Sequence, residues 1–182
     1  MSAAKVRHIV LGVTASAAIY KACDLVRRLR ERGCAVSVVM TADAQQLIKP
    51  VLFEALSGEK VHTDMFAAVK EWEIGHISLA QKADCLLIAP ATANIIAKLA
   101  SGECDDLLTC VACATKAPVV ICPAMNENML LHPITQQNIK KLKGIGYRFV
   151  EPRKGKLACG DVGVGCLADS ETILQAVEKI LR

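Results

Sequence analysis

Four apolar runs, separated by segments with helical spacing, constrain the fold most strongly. They span residues 6–13, 35–40, 84–89 and 118–122. The runs lack the polar alternation of half-exposed strands, and such runs are typical of strands buried on both faces of a parallel sheet. Alternation of strands and helices with short connections then predicts a parallel sheet covered by helices on both faces.

The segments between and after these strands carry helix signals. Residues 16–32 have apolar side chains on one face and arginines on the other, and Gly33 follows where a left-handed residue ends a helix. Further helices are predicted at 42–56 (interrupted by Pro50), 94–100, 106–115, 133–143 and 171–181 (capped by Ser170), with a strand at 147–150. We therefore expect a three-layer, doubly wound α/β fold of the Rossmann/flavodoxin-like class, in a single domain over residues 1–182.

Composition argues against several classes of function. The formal net charge is only +4 and aromatic residues make up 3% of the 182 residues, so no nucleic-acid surface is expected. No apolar stretch is long enough to span a membrane, and the N-terminus lacks the features of a signal peptide. We expect a cytoplasmic protein in which Cys23, Cys85, Cys110, Cys113 and Cys122 are small core residues in a reducing compartment.

Polar residues follow the first two strands, at the edge of the sheet where ligands bind. Gly12 permits close backbone approach, and Thr14 and Ser16 place hydroxyls at a helix N-terminus, where free N–H groups and the helix dipole favour a phosphate. An ordinary helix cap is the commoner role of serine or threonine at such a position. Both roles also apply to Thr41, directly after the second strand.

The loops after the next two strands are also unusual. Residues 89–94 are small and polar-tipped, and can cap a helix or border a flat cofactor. Residues 102–109 put acidic side chains at a helix start, where Asp106 is favourable even without a ligand. Residues 123–129 are the most specific feature, because no turn type demands Pro-x-Met-Asn-x-x-Met after a buried strand. Asn126 offers donors and an acceptor for an amide or carboxylate, although asparagine is also common in turns.

A glycine-rich segment over residues 155–166 predicts a mobile flap rather than a core element, with glycine at 155, 160, 163 and 165. Cys159 lies among these glycines and is a candidate reactive thiol. We expect no metal site, because Cys159 and Cys166 have no matching second pair.

Four ordered segments together resemble the homo-oligomeric flavin-containing cysteine decarboxylase family, and the resemblance extends from Gly12 to about Ile173. They are Gly75-His76-Ile77, Ala89-Pro90-Ala91-Thr92-Ala93-Asn94, Pro123-Ala124-Met125-Asn126-Glu127-Asn128-Met129 and Leu157-Ala158-Cys159-Gly160. A lone histidine is usually structural or exposed, and we expect this of His8, His62 and His132. His76 differs because it belongs to the Gly75-His76-Ile77 segment of the resemblance. The resemblance implies an FMN cofactor and a trimeric building block, with each flavin near a subunit interface.

The resemblance also implies roles for individual residues. The catalytic set is His76 as the base, Asn126 as the group that holds the substrate carboxylate or amide, and Cys159 as the redox-active cysteine of a substrate-covering clamp. The FMN phosphate and ribityl chain are expected near Gly12, Thr14, Ser16 and Thr41, and the flavin near Thr92, Asp106, Leu107, Leu108 and Thr109. Substrate contacts are expected from Asn126, Met129, Ala158 and Cys159.

Within the family, the chain is most similar to members that convert 4'-phosphopantothenoylcysteine to 4'-phosphopantetheine in coenzyme A synthesis. The implied reaction oxidises the substrate CH₂–SH group to a thioaldehyde, so that CO₂ loss gives a delocalised enethiolate, which is then reduced and protonated with help from Cys159. The implied partners are copies of this chain, as a homotrimer or trimer-based dodecamer, and a separate phosphopantothenate–cysteine ligase.

Three alternatives remain open, and one sequence departure bears on them. Decarboxylases of a peptide C-terminal cysteine stop at the enethiol and resemble this chain less around Cys159. Flavin-binding regulatory subunits tend to lack part of the histidine–asparagine–cysteine set, and the motifs around Asn126 and Cys159 argue against flavin prenyltransferases. Relatives usually carry Arg-Met where Cys166 and Leu167 stand here, so the clamp lacks one positive charge.

Overall fold

The computed structural model describes residues 6–66 and 75–181. Its elements in chain order are β1 (His8–Val13), a 3₁₀ turn (Ala17–Ile19), α1 (Tyr20–Glu31), β2 (Ala35–Met40), α2 (Ala44–Leu47), α3 (Pro50–Ser57), α4 (Gly75–Lys82), β3 (Cys85–Ala91), α5 (Ala93–Ser101), α6 (Leu107–Ala114), β4 (Val119–Pro123), α7 (Glu127–Leu131), α8 (Pro133–Gly144), β5 (Arg148–Phe149), β6 (Arg153–Lys156), β7 (Val162–Cys166) and α9 (Ser170–Leu181). The predicted strands begin and end within two residues of the observed ones. None of the described helices is both long and apolar enough to cross a membrane.

Five parallel strands form the central sheet in the order β2-β1-β3-β4-β5. After β1 the chain forms β2 at one edge of the sheet, and β3 then pairs with the opposite side of β1. Right-handed crossovers then place the connecting helices on opposite faces. The strand order is that of flavodoxin-like sheets, and the expected doubly wound fold is confirmed. The order reverses between β1 and β3, and at such a point the loops after the two strands separate and leave a crevice.

Alternate residues of each central strand pack into two different cores. In β3, Leu87 contributes to the core that contains α1, α3 and α9, while Leu86 and Ile88 contribute to the core that contains α5, α6 and α8. All three side chains are fully buried. Burial of such a side chain stabilises a fold by about 1.5–3 kcal/mol. Both faces of the strand are therefore apolar, which explains the uninterrupted runs in the sequence.

The prediction of five core cysteines is only partly correct. Cys85 and Cys122 are buried, but Cys23 and Cys110 are partly exposed and Cys113 is exposed. For Cys110 and Cys113 the reason lies in α6, whose sequence Leu-Leu-Thr-Cys-Val-Ala-Cys-Ala has no charged residue on any face. Because the helix has no polar stripe, its sequence does not identify the face that contacts solvent.

Candidate active site

A cavity of about 660 Å³ lies beyond the carboxyl end of β4, between the loops that follow β1, β3 and β4 and the β6–β7 hairpin. All four residues expected to contact the substrate line it, namely Asn126, Met129, Ala158 and Cys159. Ser16 and Thr92 from the expected cofactor set line it too. Several distant motifs of the sequence therefore meet around one space, at the sheet edge where ligands bind in this topology.

Asn126 is held in place by the start of α7. Its Oδ1 atom accepts a hydrogen bond of 2.9 Å from the backbone N–H of Asn128 and caps the helix. This contact leaves the amide nitrogen free to turn toward the hairpin, where Nδ2 lies 3.6 Å from the Sγ atom of Cys159. The turn role and the recognition role considered for Asn126 are thus compatible, because each uses a different end of the amide.

Cys159 lies in the turn between β6 and β7. The turn is closed by hydrogen bonds from the Leu157 N–H to the Asp161 carbonyl (2.8 Å) and from the Gly160 N–H to the Leu157 carbonyl (2.9 Å). The Cys159 side chain is exposed, as expected for a reactive thiol. Its Sγ atom lies 3.5 Å from Oδ2 of Asp161, which accepts a hydrogen bond from the thiol.

The hairpin is attached to the loop after β4 by its backbone. The Met125 N–H donates to the Gly165 carbonyl (3.0 Å), and the Val164 N–H donates to Oε1 of Glu127 (2.7 Å). Gly165 has a φ of 150°, and a Cβ atom at this position would lie 2.1 Å from the Met125 carbonyl oxygen. The expectation that these glycines mark a flap outside the core is wrong for Gly165, which is buried because two backbone segments approach closely there.

The hydroxyl groups of the first loop are used within the protein. Thr14 is buried, and its Oγ1 atom donates to the Pro90 carbonyl (2.7 Å) and accepts from the Thr92 N–H (3.1 Å). Ser16 donates to the Ala124 carbonyl (2.9 Å) and accepts from the Ala18 N–H (3.3 Å), so it caps the 3₁₀ turn. Thr14 and Ser16 therefore connect the three loops around the cavity, and only Ser16 lines it.

Gly12 leaves room for a core side chain. It lies in β1, and a Cβ atom there would stand 2.5 Å from Cδ1 of Leu108. Leu108 is 1% exposed and belongs to the core on that side of the sheet. The missing side chain of Gly12 thus makes room for a leucine of α6, which sequence reasoning could not anticipate from the loop alone.

The segment from Asp106 to Thr109 forms a capping box at the start of α6. Asp106 accepts from the Thr109 N–H (2.8 Å), and the Thr109 hydroxyl accepts from the Asp106 N–H (3.1 Å). Leu107 and Leu108 are buried. Thr41 likewise accepts from the Ala44 N–H (3.3 Å) near the start of α2. None of these expected cofactor residues lines the cavity, and the structure accounts for their side chains by capping and packing.

His76 is close to the start of α4 and does not line the cavity. Among the described residues, its Nδ1 atom is the buried side-chain nitrogen or oxygen that has no hydrogen-bond partner. An unpaired buried polar atom typically costs about 1–3 kcal/mol. One chain therefore brings Asn126 and Cys159 together, but does not bring His76 to them.

Comparison with known proteins identifies the family. The flavoprotein family model matches residues 2–182. The chain belongs to the flavoprotein family. It is 46% identical over 173 residues to the coenzyme A biosynthesis bifunctional protein CoaBC of Bacillus subtilis, covering 95% of this chain but only 43% of that protein. It is 44% identical over 177 residues to a probable phosphopantothenoylcysteine decarboxylase of Streptococcus mutans, covering 96% of this chain and 99% of that protein.

Solved structures support the same family. A PPC decarboxylase mutant in complex with pantothenoylaminoethenethiol is 29% identical, with a TM-score of 0.86 and coverage of 96% of this chain and 98% of that one. The FMN-dependent cysteine decarboxylase SpaF is 36% identical, with a TM-score of 0.81 and the same coverage. The fold of this flavoprotein is therefore shared along nearly its whole length.

The described residues of this flavoprotein fit a flavin in two respects. The cavity opens at the strand-order reversal, and the Nδ1 atom of His76 can bond to a group that the described residues do not provide. No group of three or more histidine, cysteine or acidic side chains in the described ranges is arranged to hold a metal ion.

Sequence reasoning missed three basic residues that also line the cavity, namely Lys21, Arg153 and Lys156. Lys21 follows the first loop within α1, and the other two lie on β6. The sequence gives little signal for them, since lysine and arginine occur along the whole chain. Only the fold brings them to the cavity that Asn126 and Cys159 also line.

Proposed function

We propose that the protein is an FMN-dependent decarboxylase that converts 4'-phosphopantothenoylcysteine to 4'-phosphopantetheine in coenzyme A synthesis. The observation that carries the proposal is the contact between Asn126 and Cys159 at the cavity. Membership of the flavoprotein family and 44% identity to a probable phosphopantothenoylcysteine decarboxylase of matching length support it. The name of the similar SpaF structure supports FMN as the cofactor.

When bound, FMN supplies the two-electron acceptor that the substrate CH₂–SH group needs, and later the donor for reduction of the enethiol. Ser16 and Thr92 are the residues of the expected cofactor set that line the cavity, and we assign them to contact FMN. Thr14 acts indirectly in this proposal, because its hydroxyl joins Pro90 to Thr92 and so orients the loop.

Asn126 is proposed to bind the substrate carboxylate through its amide nitrogen. The Oδ1 atom is already used by the cap of α7, so only the donor end faces the cavity. A neutral amide donor orients the carboxylate without the strong ground-state stabilisation of a salt bridge. Less of the carboxylate's binding energy is then lost when CO₂ departs.

Cys159 is proposed to protonate the product carbon at the end of the cycle. Its thiol is exposed toward the cavity and touches Asn126, so it lies beside the carbon that loses CO₂ when the carboxylate is bound there. Asp161, at 3.5 Å from Sγ, is positioned to orient the S–H bond. The resulting product is saturated, which separates this activity from that of enzymes that release an enethiol.

His76 is proposed as the base that accepts the proton when the substrate thiol is oxidised. Because His76 lies away from the cavity of its own chain, the proposal includes a homotrimer, or a dodecamer built from trimers, in which a second copy supplies the histidine. The unpaired Nδ1 atom supports this arrangement.

Mixing His76→Asn and Cys159→Ala chains after mild dissociation tests whether a second copy supplies the histidine. Regained activity in the mixture is expected, and none would be regained if each site were formed by one chain.

The proposal treats residues 1–182 as one catalytic domain, and the family match over residues 2–182 supports this. Ligation of cysteine to phosphopantothenate is not assigned to these residues. The Bacillus subtilis relative is a bifunctional protein of which the chain covers 43%. We propose the cytoplasm as the compartment, supported by nine cysteines that are all free thiols.

Incubation of the FMN-loaded protein with 4'-phosphopantothenoylcysteine tests the proposal. Release of CO₂ from this substrate, with far slower release from a peptide that ends in cysteine, is the expected outcome. Unchanged substrate with FMN bound would reject the enzymatic function and favour a flavin-binding regulatory subunit. Faster reaction of the peptide would favour the peptidyl-cysteine decarboxylases instead.

A further inference from the structure

The charged residues that line the cavity all carry the same sign. Lys21, Arg153 and Lys156 line it, and no aspartate or glutamate is among the described residues that do. Lys21 reaches the space from α1, whereas Arg153 and Lys156 lie on β6 of the hairpin. Cations from two separate parts of the fold thus line the same cavity as Asn126 and Cys159.

Among the described residues, no carboxylate forms an ion pair with either of the two lysines. Other cations pair closely, for example Lys98 with Asp105 (2.7 Å) and Lys143 with Glu151 (2.7 Å). No carboxylate of residues 6–66 or 75–181 lies within 4.0 Å of the ammonium group of Lys21 or Lys156. Like charges that line one cavity without counter-charges repel one another. An anion bound in the cavity is attracted to each of them and offsets this repulsion.

Arg153 is oriented by Asp169, which lies between β7 and α9, and by the space at Gly155 of the hairpin. Its Nε atom lies 3.0 Å from Oδ1 of Asp169. The guanidinium lies across Gly155, where a Cβ atom would stand 2.8 Å from Nη1 and 3.2 Å from the Sγ atom of Cys166. The absence of a side chain at Gly155 therefore leaves the room in which the guanidinium lies.

We propose that Lys21 and Lys156, with Arg153 beside them, form the binding subsite for the phosphate monoester of the substrate. This inference rests on the proposed function and adds the basis of its substrate choice. The substrate of that function carries a carboxylate at one end and a phosphate at the other. Asn126 supplies a neutral donor for the first, and the lysines supply charge-assisted donors for the second. Neither an unphosphorylated analogue nor a peptide with a C-terminal cysteine carries this dianion, so the subsite selects against both.

The experiment compares two substrates in lysine variants of the FMN-loaded protein. Lys21→Gln and Lys156→Gln are assayed with 4'-phosphopantothenoylcysteine and with pantothenoylcysteine, which lacks the phosphate. Lys154→Gln is the matched control, because Lys154 is exposed on the same strand but does not line the cavity. The quantity of interest is the ratio of kcat/KM for the phosphorylated substrate to kcat/KM for the unphosphorylated one.

We expect each lysine variant to lower this ratio about tenfold, as for loss of a charge-assisted hydrogen bond, and Lys154→Gln to keep it within about twofold. An equal loss of kcat/KM for both substrates would overturn the proposal, since the lysines would then act on a part that the two substrates share. An unchanged ratio in both lysine variants would overturn it as well.

FMN also carries a phosphate monoester, so its affinity is measured in the same variants from the fluorescence of released flavin. The proposal requires FMN affinity within about twofold of the wild type. A loss of FMN affinity as large as the loss of substrate preference would assign the lysines to the cofactor phosphate and overturn the proposal.

A binding measurement separates this inference from the proposed function. Calorimetric titration of the FMN-loaded protein with 4'-phosphopantothenate and with pantothenate requires no turnover. If the wild type fails to decarboxylate but binds the phosphorylated ligand more tightly, and both lysine variants lose that preference, the subsite stands and the reaction assignment fails. If the wild type binds both ligands equally, the subsite is rejected whether or not decarboxylation occurs.

Discussion

The side-chain amide nitrogen of Asn126 lies 3.6 Å from the Sγ atom of Cys159, although 33 positions separate the two residues in the chain. The contact depends on two hydrogen bonds between β7 and the segment after β4, from the Met125 N–H to the Gly165 carbonyl and from the Val164 N–H to the Glu127 carboxylate. The proposed carboxylate-binding group and the proposed proton-donating thiol thus belong to two segments that are hydrogen-bonded to each other. A change that moves the hairpin is expected to affect both functions together.

Replacement of the thiol of Cys159 separates the steps of the reaction. Cys159→Ser is expected to retain CO₂ loss, because Asn126 is intact, but to release an unsaturated enethiol in place of the saturated product. Mass spectrometry of the product distinguishes the two. Cys34→Ser, in a cysteine that does not line the cavity, is the control and keeps the saturated product. A saturated product from Cys159→Ser would refute the role of this thiol.

Gly165→Ala tests the attachment of the hairpin. The new Cβ atom would meet the Met125 carbonyl at 2.1 Å, in a backbone conformation that side chains rarely adopt. We expect a loss of about 1–3 kcal/mol in the free energy of unfolding, together with a large loss of kcat. Denaturant titration and steady-state assay measure these.

Gly144→Ala is the matched control, because Gly144 ends α8 with no atom within 4 Å of its Cβ position. It is expected to be neutral or to stabilise the protein by about 0.5–1 kcal/mol. Equal stability of the Gly165→Ala and Gly144→Ala proteins would contradict the close approach at Met125.

Gly12 and Leu108 are expected to be coupled energetically. Gly12→Ala forces its Cβ atom to within 2.5 Å of Leu108 Cδ1 and is expected to cost about 1–3 kcal/mol through overpacking. Leu108→Ala leaves a cavity and is expected to cost about 2–5 kcal/mol. Because the double variant relieves the clash, it should lose less stability than the sum of the single changes, by about 1 kcal/mol or more. Additive losses in the denaturant titrations would show that the two side chains do not share this space.

His62 gives a pH dependence of stability with a defined sign. Burial lowers the pKa of its imidazole below 6.5, and the nearby charges of Lys82 and His8 lower it while Glu59 opposes them. The unfolded histidine then binds a proton at a higher pH than the folded one, so the stability that the neutral imidazole contributes is lost as pH falls below about 6.5.

The free energy of unfolding is measured between about pH 7.5 and about pH 5.5 for the wild type and for His62→Gln. The wild type is expected to lose more stability over this interval than the variant. Parallel curves for the two proteins would contradict the assignment.

The fold followed from the sequence because its strands are buried on both faces. Leu86, Leu87 and Ile88 pack into two cores and leave no polar position in the run, so the pattern admits few other structures. The β6–β7 hairpin was missed for the opposite reason. Its strands are rich in glycine, whose role at Gly165 depends on a loop 40 positions earlier, at Met125.

The site was predictable where a residue's role is local and less so where it depends on packing. Asn126 and Cys159 stand out because their surroundings in the sequence are unusual for a turn and a flap. The ligand contacts expected of Thr14, Gly12 and Thr109 stay predictions, and the structure shows in addition that these residues serve loop connection, core packing and capping. Lys21 and Lys156 carried no local signal, because only the tertiary structure brings them to the cavity.

The central claim is that this flavoprotein completes a decarboxylation cycle and returns a saturated thiol. The most direct test is the mass of the product formed from 4'-phosphopantothenoylcysteine by the FMN-loaded wild type. Loss of CO₂ alone is predicted, since the electrons taken from the substrate are returned before release. Loss of CO₂ together with two hydrogens, or recovery of unchanged substrate, would contradict the account.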